Sequence, residues 1–88
     1  MSKVSEFYGI CIEINPIEGY LSHVIASYSD YEAMFSARSG GIMEGEFPEE
    51  QSQLVKAWVL LHQNEIDKNW NGYLANNNYF MNPIPPLS

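Results

Sequence analysis

The chain has 88 residues, of which 45% are hydrophobic and 14% aromatic, and its 11 acidic and 4 basic side chains give a net charge of −7. This length predicts one domain over residues 1–88, and the apolar content excludes disorder for most of it. The acidic balance excludes direct binding to nucleic-acid phosphates, and no apolar run approaches the roughly 20 residues of a membrane span. The single cysteine, Cys11, excludes an internal disulfide. Since no charged-then-apolar leader opens the chain, we expect a cytoplasmic protein without membrane association.

The first predicted element is a strand over residues 4–14. Its residues alternate, so that Tyr8, Ile10 and Ile12 share one face while Phe7 lies on the other. A period of two with β-branched and aromatic residues indicates a strand half buried in a sheet. The sequence Asn-Pro-Ile-Glu-Gly that follows is typical of a turn.

Three further strands are predicted between residues 21 and 47. Residues 21–28 and 31–37 form two of them, joined by a tight turn, and both alternate with a period of two. Ser-Gly-Gly at 39–41 allows another hairpin, because glycine adopts positive φ without steric cost. A short fourth strand over residues 42–47 follows.

After Phe47 the period changes from two to 3.6, which predicts a long helix. Pro48 suits its first turn, because the missing N–H of proline has no partner there, and the helix is expected to end at Gly72 or at 76–78. Its apolar stripe consists of Leu54, Val55, Trp58, Val59, Leu61, His62, Ile66, Trp70 and Tyr73. Residues 79–88 form an extended, proline-rich tail. This tail is expected to pack against the chain's own helix, and the alternative is recognition by a partner as a proline-rich peptide.

Together these elements predict an α+β domain. It is an antiparallel β-meander of about four strands packed on one face by a long C-terminal helix, in the order β-β-β-β-α. One helix covers only one face of such a sheet, so the uncovered face must be polar or must contact another molecule. Since three strands carry sizeable apolar residues on both faces, such as Met34 beside Phe35, we expect self-association or a partner.

The acidic residues are concentrated in the first half of the chain. Residues 6–50 hold nine of the acids and a single base, Arg38. Such a field attracts a basic protein and speeds its encounter, and interleaved tyrosines supply contact area. The predicted partner-binding residues are Glu18, Tyr20, Tyr28, Asp30, Tyr31, Glu32, Glu44 and Glu46. Two simpler explanations stay open: the charge only keeps the protein soluble, and the tyrosines only pack within the strands.

Few residues in this sequence support metal or nucleophilic chemistry. His23, Cys11 and Glu13 are the candidate metal set, because they approach one another if the first two long strands pair. The alternative is a lone histidine on the strand surface and a cysteine packed as a small hydrophobic residue. Cys11 has no cation nearby in the sequence to lower its pKa, so we expect an unreactive thiol.

The remaining candidates for catalysis have simpler explanations. His62 lies on the apolar stripe of the helix, where a hydrogen-bonded histidine at the edge of the core is expected. Glu44 and Glu46 share a strand face, which permits acid–base chemistry in principle, but solvated glutamates are the commoner outcome at a strand-to-helix junction. We therefore predict that the protein is not an enzyme and has no catalytic, metal-binding or cofactor-binding residues.

Five motifs follow one another along the chain: "SEFYGI", "YxxYEAxF" over residues 28–35, "EGEFP" over 44–48, "LVKAWVLLHQNEIDKNW" over 54–70 and "IPPL" near the end. In this order they resemble a small bacterial family, domain of unknown function 4160, from Ser5 to Leu87. No activity is established for that family. Its members are often encoded beside another small domain, and the pair has been proposed as a toxin–antitoxin-like module.

The most distinctive stretch of that family, His-x-Pro-Pro-His-Phe-His-Ala, corresponds to residues 19–26. His23 matches the middle histidine and Ala26 the alanine, whereas Gly19 and Ile25 replace the outer histidines. Histidines at alternate positions of a strand share a face and can hold a metal ion or pass protons. The resemblance therefore implies that this chain has lost a histidine site that relatives carry.

These observations lead to three functional hypotheses. The first is a non-enzymatic, acidic protein-binding module that neutralises or regulates a partner with a basic surface, as an antitoxin-like component or a phage or mobile-element inhibitor does. In one variant its carboxylates mimic nucleic-acid phosphates. The alternative is a metal-dependent hydrolase or nuclease with a degenerate histidine site around His23. The third is a structural subunit that forms a homodimer through the uncovered sheet face.

Overall fold

The computed structural model describes residues 2–87, which form one antiparallel sheet and two helices. The elements are β1 (Ser2–Phe7), β2 (Ile10–Ile14), β3 (His23–Tyr28), β4 (Tyr31–Ser36), β5 (Ile42–Glu46), α1 (Glu49–Leu61) and α2 (Gln63–Ala75). Consecutive strands are neighbours throughout, in the order β1-β2-β3-β4-β5. The predicted α+β class and the meander are confirmed, with five strands instead of about four and two helices instead of one.

The additional strand arises because the predicted first strand is a hairpin. Tyr8 and Gly9 form its turn, with φ of 50° and 79°, and Phe7 pairs with Ile10. A two-residue turn with positive φ at both positions matches the twist of the flanking strands. The pairing places Phe7 on the same face as Ile10, so the prediction that they lie on opposite faces is wrong. A tyrosine with positive φ is uncommon, which is why the sequence pattern conceals this turn.

The core lies between one face of the sheet and the two helices. The sheet contributes Phe7, Ile10, Ile12, Ile14, Val24, Ala26, Ala33 and Phe35, and Ala37, directly after β4, is buried with them. The helices contribute Val55, Trp58, Val59, Ile66 and Trp70. Burial of a large apolar side chain stabilises the fold by about 1.5–3 kcal/mol. A shift of one residue in the register of a strand would turn all of its buried side chains toward solvent. The core therefore fixes which side chains point to the other face of the sheet.

The predicted single helix is interrupted at His62. This residue has a φ of −119°, outside the helical range, and its N–H donates to the carbonyl oxygens of Trp58 and Val59 at 3.0 and 3.2 Å. Nδ1–H of His62 donates to Oε1 of Glu65 at 2.7 Å, and its ring lies 5.5 Å from that of Trp58. The expected hydrogen-bonded histidine at the edge of the core is confirmed. Because the apolar stripe continues across the break, periodicity alone predicts one helix.

Both helices are short. At 13 residues each, neither α1 nor α2 is long and apolar enough to cross a membrane, and residues 2–87 contain no other helix. The cap of α2 is Asn76, which agrees with the predicted end in the asparagine run.

The tail packs back onto the domain, as expected. The N–H of Ile84 donates to the carbonyl oxygen of Val4 at 2.8 Å, and the side chain of Ile84 is buried. Val4 lies where the register of β1 shifts relative to β2. The tail thereby shields part of the outer edge of β1, an edge that would otherwise be open to pairing with another chain.

Two side chains of the helices hold the tail in place. Nε1–H of Trp58 donates to the carbonyl oxygen of Pro85 at 2.9 Å. Asn69 is buried and forms two bonds with the backbone of Asn82: its Nδ2 donates to the carbonyl oxygen, and its Oδ1 accepts the N–H, both at 3.0 Å. Buried polar groups are almost always paired, and here the helices and the tail satisfy each other.

Candidate functional site

The face of the sheet that points away from the helices is called the open face here. The strand pairing arranges its side chains in two rows of five. One row is Glu6, Cys11, Ser27, Glu32 and Glu46, and the other is Lys3, Glu13, Ile25, Met34 and Glu44. Directly opposed residues of neighbouring strands share a face, so the register defines the rows. All ten side chains are partly or fully exposed, and five of them are glutamates.

The centre of the open face is weakly polar, and its margins are acidic. Ile25 pairs with Met34 across β3 and β4, and both side chains are half-buried. Beside them lies a depression of about 200 Å³, which is lined by Ile25, Glu32, Ala33, Met34, Glu44 and Gly45. Since an apolar cavity of about 150 Å³ holds benzene, this depression has room for one large apolar side chain.

The margin formed by β4 and β5 concentrates negative charge. Glu32 lies directly opposite Glu46, and like charges at opposed positions destabilise a sheet. Glu44 lies two residues from Glu46 on the same face, within about 7 Å along the strand. Among residues 2–87, the open face has one ion pair, between Lys3 and Glu6 of β1, and it lies on the margin opposite to β4 and β5. The three glutamates of β4 and β5 are thus available to cations from another molecule.

Gly45 allows β5 to lie close enough to β4 for this arrangement. Its φ is +91°, and a Cβ at this position would lie 2.5 Å from the carbonyl oxygen of Glu32 and 2.9 Å from Cα of Ala33. Only glycine meets both requirements without strain. The conformation of Gly45 therefore determines the positions of Glu44 and Glu46 relative to Glu32.

Cys11, near the middle of the open face, is not arranged as a nucleophile. Burial raises the pKa of its thiol above the ordinary value, Lys3 partly offsets this effect, and Glu13 and Glu6 raise the pKa further. Glu6 also raises the pKa of Lys3, through a hydrogen bond and its charge. Because the thiolate is the reactive form, the raised pKa makes this thiol less reactive at neutral pH than an ordinary cysteine.

Three of the eight residues predicted to bind a partner come together on the open face, namely Glu32, Glu44 and Glu46. Tyr28 and Tyr31 pair with each other at the end of the β3–β4 hairpin. Alternation along these strands turns both tyrosines toward the side of the sheet that faces the core. The structure therefore separates these tyrosines from the glutamates with which the sequence interleaves them.

The other three predicted residues lie outside the sheet. Glu18 and Tyr20 belong to the loop between β2 and β3, and Asp30 belongs to the turn between β3 and β4. All three are exposed. They surround the sheet and do not extend the open face.

The sequence pattern did not assign to partner binding the other seven residues of the open face, namely Lys3, Glu6, Cys11, Glu13, Ile25, Ser27 and Met34. The positions of Lys3 and Glu6 depend on the turn at Tyr8, because that turn brings Glu6 beside Cys11 and Lys3 beside Glu13. The period of two along the strands thus indicates which residues share the open face, but for β1 this holds only when the turn at Tyr8 and Gly9 is included.

His23 is part of the packing between β3 and α2. Its side chain is fully buried, with the ring 4.9 Å from that of Trp70 and 6.3 Å from that of Tyr20. Nδ1 lies 2.8 Å from the carbonyl oxygen of Leu21, so this nitrogen carries the hydrogen and donates it. Nε2 has no hydrogen-bond partner among the described residues. The ring thus packs β3 against α2, and the alternative of a lone histidine on the strand surface is wrong.

The candidate metal set is not assembled. Within residues 2–87, no three side chains of the His, Cys, Asp or Glu type come close enough together to hold a metal ion. Cys11 and Glu13 lie on the open face, whereas His23 is enclosed by Trp70 and Tyr20.

These features define an α+β domain with a single-layer sheet that is sheltered by helices on one side and acidic on the other. The family model described as Domain of unknown function (DUF4160) matches residues 9–71, and the chain belongs to this family. The predicted resemblance is thereby confirmed. No curated protein and no solved structure gives a significant match to the chain.

Proposed function

We propose that the chain is a non-enzymatic binding module that neutralises or regulates a partner protein through its open face. The observation that supports this proposal is the cluster of Glu32, Glu44 and Glu46 beside the half-buried pair Ile25 and Met34. Protein interfaces combine an apolar centre with a polar rim. Carboxylates in the rim favour a basic partner and reject an acidic one.

Two kinds of partner fit this chemistry. One is a basic protein that the chain inhibits or regulates, as an antitoxin-like component or a phage or mobile-element inhibitor does. The other is a nuclease whose basic groove ordinarily holds nucleic acid, so that the carboxylates take the place of phosphates. Added nucleic acid displaces the chain from its partner in the second case and leaves the complex intact in the first.

The proposal is tested by affinity capture from an extract of the native host. The bait is either the unaltered chain or an open-face variant that carries Glu32→Gln, Glu44→Gln and Glu46→Gln. We expect the unaltered chain to retain a basic protein and the open-face variant to lose it. Loss at raised salt is also expected, because the Debye length falls from about 10 Å at 0.1 M to about 3 Å at 1 M.

A matched control variant carries Glu18→Gln, Asp30→Asn and Glu50→Gln, three exposed acids outside the open face. It changes the net charge by the same amount, so it measures the effect of overall charge alone. Retention by the control variant and loss by the open-face variant would support the proposal. Equal retention by both variants, or loss confined to the control variant, would contradict it.

A further inference from the structure

We infer that the open face binds an amphipathic helix whose flanks are basic. This inference rests on the proposed function and specifies the shape and charge pattern of the partner. The geometry of the two rows, the length of the strands and the distribution of charge each support it.

The width of the open face matches one helix. Neighbouring strands are about 4.8 Å apart, so β1 and β5 lie about 10 Å to either side of β3. A helix with its side chains is about 10–12 Å wide. A helix that lies along β3 would therefore cover Cys11, Ile25, Ser27 and Met34, and its flanks would lie above the acidic margins.

The length of the open face also suits a short helix. β3 has six residues, which span about 20 Å, and a helix of about 13 residues has the same length. α1 and α2 have 13 residues each and shelter the other face. A bound helix would complete a three-layer arrangement of helix, sheet and helix, in which both faces of the sheet are covered.

The charges of the two margins are unequal. On the β4–β5 margin, Glu32, Glu44 and Glu46 have no cationic partner among residues 2–87. On the β1–β2 margin, Lys3 neutralises Glu6 and leaves Glu13. The helix should therefore carry lysine or arginine on both flanks, with the larger number on the flank above β4 and β5.

The depression beside Met34 supplies an anchor point. Ile25 and Met34 form part of its lining, with Glu32 and Glu44 at its rim. We expect one leucine or phenylalanine from the apolar stripe of the helix to fill it, since well-packed central anchors dominate interface energies.

Two other occupants fit less well. A second copy of the chain would bring one set of glutamates against another, and like charges at an interface are unfavourable. An extended strand would have to pair along the outer edge of β5, where the register is shifted opposite Met34 and Phe35. Such a bulge interrupts the regular pattern of backbone groups that strand addition requires.

The inference is tested with three synthetic peptides of identical composition, each built from lysine, leucine and alanine. In the first, the order places leucine on one stripe of a helix and lysine on its flanks. The second alternates lysine with apolar residues, and the third is a scrambled order without periodicity. Affinity is measured by fluorescence anisotropy, and coverage of the open face is measured by the alkylation rate of Cys11.

We expect the helical peptide to bind at least about tenfold more tightly than either other peptide, which corresponds to about 1.4 kcal/mol. It should slow the alkylation of Cys11, and the open-face variant should weaken its binding about tenfold or more, whereas the control variant should change it less than about threefold. The substitution Met34→Lys should abolish binding of the helical peptide, because it places a positive charge at the centre of the open face, beneath the leucine stripe and between the lysines of the peptide.

The outcomes separate this inference from the proposed function. Equal binding of all three peptides, with protection of Cys11, would overturn the helix inference and leave the basic-partner proposal standing. Tighter binding of the alternating peptide would overturn the inference and indicate that the partner binds as an added strand. Binding that leaves Cys11 unprotected, or an absence of binding by the helical peptide, would also overturn the inference. Capture of a basic partner by the unaltered chain would still support the proposed function in those cases.

Discussion

Glu32 and Glu46 face each other across β4 and β5, and this pair illustrates a conflict between stability and binding. We predict that Glu32→Gln raises the free energy of unfolding by about 0.2–1 kcal/mol at low ionic strength, because it removes a repulsion between opposed charges. Urea denaturation at low salt and at 1 M salt measures this gain, which should shrink at high salt.

The control for this prediction is Glu18→Gln, which changes an exposed loop residue by the same charge. It should leave the unfolding free energy within about 0.5 kcal/mol of the unaltered chain. If Glu32→Gln destabilised the fold, or if the gain were the same at 1 M salt, the two carboxylates would not repel each other as the register indicates.

Gly45 is the second residue at which the structure makes a definite prediction. Gly45→Ala should destabilise the fold by roughly 1–3 kcal/mol more than Gly19→Ala, measured by urea denaturation. Both glycines have positive φ, near +90°, but a Cβ at Gly45 meets the backbone of β4, whereas a Cβ at Gly19 meets nothing within 4 Å. Equal costs at the two positions would mean that the contact between β4 and β5 is looser than described.

Cys11 gives a prediction about pH. Burial and the nearby Glu13 raise the pKa of the thiol, so less thiolate is present at pH 8 than in an unstructured peptide. We expect iodoacetamide to react several-fold more slowly with the folded chain than with a peptide of residues 8–14. The rate should continue to rise with pH after the peptide rate has levelled off.

The variant Glu13→Gln removes one of the charges that raise the pKa of Cys11, so it should lower that pKa and speed the alkylation. A folded-state rate equal to that of the peptide at every pH would contradict the assignment of a raised pKa. A slower reaction of Glu13→Gln would contradict the role of that carboxylate.

At the scale of elements, the alternation of residues 10–14, 21–28 and 31–37 and the periodicity of residues 54–70 predict the sheet and its helical cover. Two local features do not follow from these patterns. A turn at Tyr8 and Gly9 requires positive φ at a tyrosine, and the break at His62 leaves the apolar stripe intact. Both depend on backbone conformations that tertiary packing stabilises and that periodicity does not encode.

The attachment of the tail to α2 depends on Asn69. We predict that Asn69→Ala lowers the free energy of unfolding by about 1–3 kcal/mol, because it removes both hydrogen bonds between the buried Asn69 side chain and the backbone of Asn82, each of which contributes about 0.5–1.5 kcal/mol. Limited proteolysis should then cut within residues 79–87 more rapidly than in the unaltered chain, which provides the second measurement.

The matched control is Asn71→Ala, an exposed asparagine of the same helix, which should change stability by less than about 0.5 kcal/mol. Equal effects of the two substitutions would show that Asn69 contributes only helix propensity. Loss of stability without faster cleavage of the tail would show that Asn69 does not hold the tail.

At the scale of the whole molecule, the sequence predicted that one face of the sheet would have no helical cover and that the acids would be concentrated in the first half of the chain. It predicted only part of the open face correctly, because the positions of Lys3 and Glu6 depend on the pairing of β1 with β2. Tyr28 and Tyr31 belong to the opposite side of the sheet by strand alternation. The excess of acidic charge is a property of composition, but its position beside the half-buried Ile25 and Met34 is a property of register.

The proposed function depends on a single surface, so the surface should respond as a unit when a partner binds. Backbone amide chemical shifts of an isotopically labelled chain, titrated with the helical peptide, measure that response residue by residue. We expect the largest changes at Cys11, Glu13, Ile25, Ser27, Glu32, Met34 and Glu44, with little change in α1 and α2. Changes confined to the loop between β2 and β3, to the hairpin turn at Asp30 or to the tail would contradict the assignment of the open face as the binding surface.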